Sequence, residues 1–115
     1  MFATLMMSVA LMSDPAQEPA TPRLWTAGEV TFLARPQPEF PTLARSGRGE
    51  AWLTCTVTAR GTFRSCQIES ESPQGNGFGR AAVVSMQRGA RIEMGEGGPA
   101  EGDRLRASIL FWNGL

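Results

Sequence analysis

The sequence predicts an α+β fold in which a three-stranded antiparallel sheet carries two helices on one face. Three segments, residues 51–59, 62–69 and 104–112, alternate apolar and polar side chains as half-buried strands do. Two others, residues 40–47 and 78–89, have the spacing and end signals of helices. Because their order is helix, strand, strand, helix, strand, the simplest packing places both helices on the apolar face of one antiparallel sheet.

The first predicted helix, residues 40–47, is short. Pro41 suits the first helical position and Gly47 the residue that ends a helix. The second, residues 78–89, has Asn76 as its predicted N-cap. Its apolar residues recur at intervals of four, which predicts a buried stripe of Phe78, Ala82 and Met86.

The two cysteines face each other across the predicted hairpin of residues 51–59 and 62–69. If Arg60 and Gly61 form a two-residue turn, paired residue numbers add to 121, as Cys55 and Cys66 do. Facing residues of paired strands have Cα atoms about 4.5 to 5.5 Å apart, which suits a disulfide. The spacing therefore favours a disulfide and an oxidising compartment, the alternative being two free buried thiols in a cytosolic protein.

The last predicted strand, residues 104–112, places Leu110 and Trp112 on the face away from the helices. The hairpin register places Trp52 on the same face. We expect the three to form a small outer cluster, which is either part of a partner-binding surface or a dimer interface.

Length and composition exclude several classes of function. The 115 residues make about one domain, which excludes a multidomain enzyme. Eleven basic and eleven acidic residues cancel, so we expect neither a nucleic-acid partner nor binding to an anionic membrane. The chain has no histidine, which excludes histidine chemistry.

The N-terminal part of the chain differs from the rest. Residues 2–12 are apolar, too few for the roughly 20 residues of a membrane span but long enough for the hydrophobic region of a signal peptide. The alternative is a strand or short helix packed into the core. Residues 14–23 are polar and proline-rich, as linkers are. We therefore expect a signal peptide or its remnant at 1–13, a linker at 14–23 and one domain at 24–115.

The search for an active site is negative. The sequence offers no nucleophile paired with a base and no metal-ligand cluster, because two cysteines without histidine cannot complete a zinc site. Glu69 and Glu71 are two residues apart in a strand, which predicts one shared, solvated face. The glycine-rich stretches at 75–79 and 95–98 are interpreted as turns. We expect no enzymatic activity, no cofactor and no metal.

The order of motifs resembles the C-terminal domain of the TonB family over about residues 25–111. The resemblance rests on FP-x-x-A at Phe40, Pro41 and Ala44, then AWLTCTVTARG, TFRSCQIESESP, GNGFGRAAV and a last strand containing ILF. The cysteine spacing and E-S-P-x-G-x-G-F-G-x-A-A are similar to the disulfide-bearing branch of TonB-like periplasmic proteins. The same fold is therefore expected here.

The resemblance implies a periplasmic or secreted adaptor that binds the plug of an outer-membrane receptor. In the TonB family a short receptor segment, the TonB box, pairs with the edge of the last strand, which is binding by strand addition. The implied partner-binding residues are Leu105, Arg106, Ala107, Ser108, Ile109, Leu110, Phe111 and Trp112. The alternative is a structural or homodimeric domain without receptor contact.

Three departures from the family pattern limit what the resemblance implies, and one of them is that the segment between Pro41 and the first strand is shortened. A full energy transducer has a histidine-bearing transmembrane anchor and a long proline-rich spacer, neither of which is found here, so we do not expect this chain to couple to the inner-membrane motor by itself. The familiar aromatic-x-Pro after the second helix is replaced by Ile92 and Met94 with one residue between them.

Overall fold

A computed structural model describes residues 21–114 of the chain. Its main sheet has four strands in the order β1, β6, β3, β4, and a second sheet pairs β2 with β5. The one α-helix of the described residues is α1 (Phe78–Gly89). The strands are β1 (Leu24–Thr26), β2 (Phe32–Ala34), β3 (Arg48–Val57), β4 (Phe63–Ser72), β5 (Arg91–Ile92) and β6 (Arg104–Trp112).

The predicted fold class is therefore wrong in its details. The main sheet has a fourth strand, and it is mixed because β1 runs parallel to β6 while β3 is antiparallel to both of its neighbours. One α-helix is present where two were expected. The predicted signal peptide at 1–13 and most of the predicted linker lie outside the described residues.

The expected helix at 40–47 does not form. Pro41 would be tolerated at the first helical position, so the reason lies in the hydrogen bonds of the residues that follow it. One turn is closed, where the Ala44 amide donates to the Pro41 carbonyl at 3.2 Å. The next amides, of Arg45 and Ser46, donate to the side-chain oxygen of Asn76 at 2.6 and 3.2 Å. Residues 35–47 are thus an irregular segment, which we call the strap.

The bounds predicted for α1 are confirmed, but its N-cap is Gly77, in the left-handed region at φ 85°, and not Asn76. The predicted stripe of Phe78, Ala82 and Met86 is fully buried. α1 packs on β3 and β4. The strap completes the cover, since the Phe40 ring meets the rings of Phe78 and Phe111 at centroid distances of 5.6 and 6.5 Å. The strap therefore covers the part of the sheet expected to lie under a second helix.

The hairpin of β3 and β4 has an unexpected turn. Its loop has three residues, 59–61, because the Thr58 amide donates to the Thr62 carbonyl, and Gly61 adopts φ 82°. Near the loop, paired numbers therefore add to 120, as in Val57 and Phe63. A bulge at Ser65, with φ 53°, adds one residue to β4 and changes the sum to 121. Cys55 and Cys66 meet beside this bulge and form the predicted disulfide, with Cα atoms 4.0 Å apart.

β1 was not predicted. It places Trp25 in the core, and the Trp25 indole N–H donates to an Asp103 carboxylate oxygen at 2.9 Å. The amides of Arg23 and Ala100 donate to the same carboxylate at 3.1 and 3.0 Å. Burial raises the pKa of Asp103, but these hydrogen bonds and the nearby Arg23 charge outweigh it, so the pKa is lowered. Asp103 thus joins β1 to the start of β6.

Candidate functional site at the edge of the last strand

The eight residues expected to bind a partner all lie in β6, whose predicted bounds are confirmed. The strand alternates as predicted. The side chains of Leu105, Ala107, Ile109 and Phe111 are buried, and those of Arg106, Ser108, Leu110 and Trp112 lie on the opposite, outer face. Leu110 and Trp112 are the most exposed of the set, at 72% and 66%.

Fewer residues of β6 are free to pair with a partner strand than the resemblance implies. On one side, β3 pairs with β6 from Arg104 to Trp112. On the other side, the chain's own β1 covers the first three residues, so that Trp25 is paired with Leu105 and Thr26 with Arg106. The chain then turns away through a 3-10 turn at Ala27–Glu29. Within the described residues, only 107–112 have no strand beside them on that side.

Two hydrogen bonds show which backbone groups face this free side. The Asn113 amide donates to Gly47, next to β3, at 3.2 Å, and the Arg104 amide donates to Arg23, next to β1, at 2.9 Å. Because successive residues of a strand direct their N–H and C=O to opposite sides, odd-numbered residues of β6 pair with β3 and even-numbered residues face away from it. The N–H and C=O groups of Ser108, Leu110 and Trp112 therefore form the free edge of β6.

The outer face beside this edge carries a charged network. The Arg106 guanidinium lies over the Trp52 ring at 4.2 Å and forms an ion pair with Glu69 at 2.7 Å. Glu69 also accepts a hydrogen bond from the Thr54 hydroxyl. The hydrogen bonds from Thr54 and Arg106 lower the pKa of Glu69, so this carboxylate stays charged to a lower pH than an ordinary glutamate.

Trp52, Leu110 and Trp112 lie on the outer face as predicted, and Trp52 is also part of this charged network. The Trp52 ring is covered by Arg106 and makes no contact with another ring of the described chain. Leu110 is paired across the sheet with Glu50, and Trp112 with Arg48. The side chains of Leu110 and Trp112 thus remain available beside the free edge of β6.

The opposite edge of the sheet, β4, is irregular. It has one bulge at Ser65, and a second at Glu69, because Trp52 is paired with Ser70 while Leu53 is paired with Ile68. The Cys66 amide donates to the side-chain oxygen of Gln87 on α1 at 3.1 Å. Bulges and side-chain caps of this kind prevent a further strand from pairing. Of the two outer edges of the main sheet, that of β6 is the more regular.

The bulge at Glu69 also corrects the expectation that Glu69 and Glu71 share a face. The extra residue reverses the alternation, so Glu69 lies on the outer face and Glu71, paired with Ala51, lies on the helix side. There Glu71 accepts a hydrogen bond from the Gly79 amide in the first turn of α1 at 2.7 Å. The two carboxylates therefore form no pair.

The part of the chain that the structure describes contains no group of three or more histidine, cysteine or acidic residues that could hold a metal ion. Residues 75–77 and 95–98 form turns, with Gly75, Gly95 and Gly97 at positive φ, while Phe78 and Gly79 of the first glycine-rich stretch belong to α1. No helix within residues 21–114 is long and apolar enough to cross a membrane.

Sequence reasoning missed the element that limits the site. β1 has only three residues, LWT, which is too short for any periodicity to be recognised. A readable signal follows it: Thr26 and Glu29 have the spacing of a capping box, and the Glu29 carboxylate accepts from the Thr26 amide at 2.9 Å. That signal marks the turn at which the chain leaves β6.

No protein-family model matches this chain, and no curated protein matches it.

Proposed function

We propose that this chain is a non-enzymatic, TonB-like domain of the periplasm, or a secreted one, which binds an extended segment of an outer-membrane receptor or another envelope protein. Binding is by strand addition at the free edge of β6, and the role is linked to TonB-dependent transport. The observation that carries the proposal is the unpaired stretch at Ser108, Leu110 and Trp112.

The geometry supports strand addition at this edge. The backbones of Ser108, Leu110 and Trp112 direct three N–H donors and three C=O acceptors away from β3, where an incoming strand can pair with them. Such main-chain bonds supply affinity, while alternate side chains supply selectivity. On the outer face the incoming strand would lie beside Leu110 and Trp112, so a segment with apolar side chains on that face is preferred.

The compartment in the proposal is supported by two features. The Cys55–Cys66 disulfide is compatible with an oxidising environment such as the periplasm or the extracellular space. The resemblance to disulfide-bearing TonB-like proteins favours the periplasm.

The test is a titration of the isotope-labelled chain with synthetic peptides that carry the TonB boxes of outer-membrane receptors. We expect the backbone amide shifts to concentrate on Ser108, Leu110 and Trp112, with little change in β4. The absence of any shift at millimolar peptide would refute the proposal.

Two variants at one position separate the backbone from the side chain. Leu110→Pro removes an outward N–H but leaves the bonds of β6 to β3 in place, so the fold is expected to survive as in other edge strands with proline. Losing one hydrogen bond of about 1.4 kcal/mol weakens binding about tenfold. Leu110→Ala keeps the N–H and is the matched control. Equal binding by the Leu110→Pro variant and the unaltered chain would contradict pairing at this edge.

The second candidate function is a structural, homodimeric domain, which the exposed Leu110 and Trp112 side chains favour. A second copy can pair its own β6 at the same edge. Sedimentation of the unaltered chain and of the Leu110→Pro variant distinguishes the two. A dimer that this variant dissociates, together with no peptide binding, would establish the homodimer instead.

A further inference from the structure

An open groove of about 740 Å³ lies between the strap and the outer side of α1, and none of the residues that line it belongs to β6. Its lining extends along α1 from the N-cap, Gly77, to Gly89, and from Ala34, at the end of β2, to Leu43 of the strap. Twelve helical residues at 1.5 Å each make the groove about 18 Å long. That length suits an extended segment of five or six residues.

The middle of the groove is apolar. Val84 lies on the side of α1 that faces away from the sheet and is 38% exposed, and Leu43 of the strap is 82% exposed. Ala81 and Phe40 line the groove between them. Polar side chains usually occupy such positions on a surface helix, so these apolar side chains provide a contact surface for an apolar ligand group.

The ends of the groove are positively charged. Arg80 and Arg88 lie on either side of Val84 on α1. They are eight positions apart, which is about 12 Å along the helix axis. Neither arginine makes an ion pair or hydrogen bond within the described residues, and Arg35 lies on the strap side of the groove. Glu39 is the one acidic residue in the lining. The groove therefore carries an excess of two positive charges in a chain whose net charge is zero.

We propose that this groove is a second binding site, for an extended acidic peptide segment of a partner protein. Two carboxylates four residues apart in an extended chain are separated by about 13 Å, which matches the distance between Arg80 and Arg88. The apolar side chains between those carboxylates then contact Val84 and Leu43. An anionic molecule with a single head group pairs with only one end of the groove.

The probe is a labelled seven-residue peptide with two glutamates four positions apart and leucines between them. Its matched control has glutamines in place of the glutamates. Binding to the full chain is measured by fluorescence anisotropy at low and high salt. We expect the glutamate peptide to bind at least tenfold more tightly than the glutamine peptide at low salt, and this preference to fall at high salt.

The double variant Arg80→Gln/Arg88→Gln is expected to lower the affinity for the glutamate peptide at least tenfold. The matched control, Arg60→Gln/Arg64→Gln, removes the same charge from the exposed hairpin and is expected to bind normally. Equal losses in both double variants would show a general charge effect and overturn the proposal. The Leu110→Pro variant keeps full binding at the groove, so this proposal and the proposed function fail separately.

Two further outcomes would replace the occupant. Asp14 and Glu18 of the chain itself are also four residues apart. If Asp14→Asn/Glu18→Gln strengthens binding of the probe tenfold, the chain's own segment competes for the groove and the external partner is overturned. If dodecanoate displaces the peptide at equal concentration, the site is one for an anionic lipid and the peptide proposal is overturned.

Discussion

Gly49→Ala tests how closely β3 approaches the first residue of α1. A Cβ atom on Gly49 would lie 2.3 Å from the ring carbons Cδ2 and Cε2 of Phe78. Ordinary carbon contacts are about 3.5 to 4.0 Å, so the ring would have to move by more than about 1 Å. The Phe78 ring is fully buried and lies 5.0 Å from the centroid of Phe111 and 5.6 Å from that of Phe40. It has no free space into which to move.

The expected cost is that of overpacking a rigid core, about 2 to 3 kcal/mol in the free energy of unfolding. In a domain of this size each kcal/mol lowers the Tm by roughly 4 to 8 °C, so a fall of about 10 °C or more is expected. The measurement is urea unfolding followed by circular dichroism, with thermal unfolding as a second readout.

The control is Gly28→Ala, because nothing lies within 4 Å of a Cβ at Gly28 and its φ is not in the left-handed region. A second control is the Phe78→Ala background, in which the ring is gone and Gly49→Ala is expected to cost much less. If Gly49→Ala and Gly28→Ala change stability by the same amount, β3 does not approach Phe78 as closely as described and the packing argument fails.

Two further predictions concern the disulfide and Asp103. Cys55→Ala/Cys66→Ala opens a link between residues 11 apart, for which loop-closure entropy predicts a loss of roughly 3 kcal/mol in urea unfolding; a loss below about 1 kcal/mol would contradict it. The pKa of Asp103 is lowered from 3.8 in the folded state, so its carboxylate stabilises the fold above that pH, and the stabilisation is lost as the pH falls through the lowered value. The difference in the free energy of unfolding between the unaltered chain and Asp103→Asn is therefore expected to be constant above about pH 5 and to shrink below about pH 4. A difference that stays constant down to about pH 2 would show that Asp103 does not cause this pH dependence.

Sequence reasoning succeeded where one period continues over many residues. α1 has its predicted bounds because apolar residues recur every four positions along it. β6 has its predicted bounds because its nine residues alternate between the two faces of the sheet. The predicted helix at 40–47 had only a proline and a glycine as evidence. Its amides are bonded to Asn76, some 30 residues away in the chain, and no local pattern reveals such a contact.

The disulfide was predicted correctly for a partly wrong reason. The assumed two-residue turn gives the sum of 121 at once, whereas the real hairpin starts at 120 and reaches 121 through the bulge at Ser65. A bulge depends on local backbone geometry that the alternation of side chains does not encode. The second bulge, at Glu69, was not predicted, and no other wrong assumption offset it. It places Glu69 and Glu71 on opposite faces of the sheet, where one shared face was predicted.

The sequence predicted the bounds of the strand on which the proposed site lies, but not how much of its edge is free, and the reason lies in β1. This strand occupies the same edge that a partner is proposed to occupy, and it is held there by Trp25 in the core and by Asp103. After Thr26 the chain turns away, and six residues of β6, 107–112, remain beyond the pairing of β1. At about 3.4 Å per residue they form an edge of roughly 20 Å. The same hydrogen bonds that anchor β1 therefore set the length of segment that the free edge can accept.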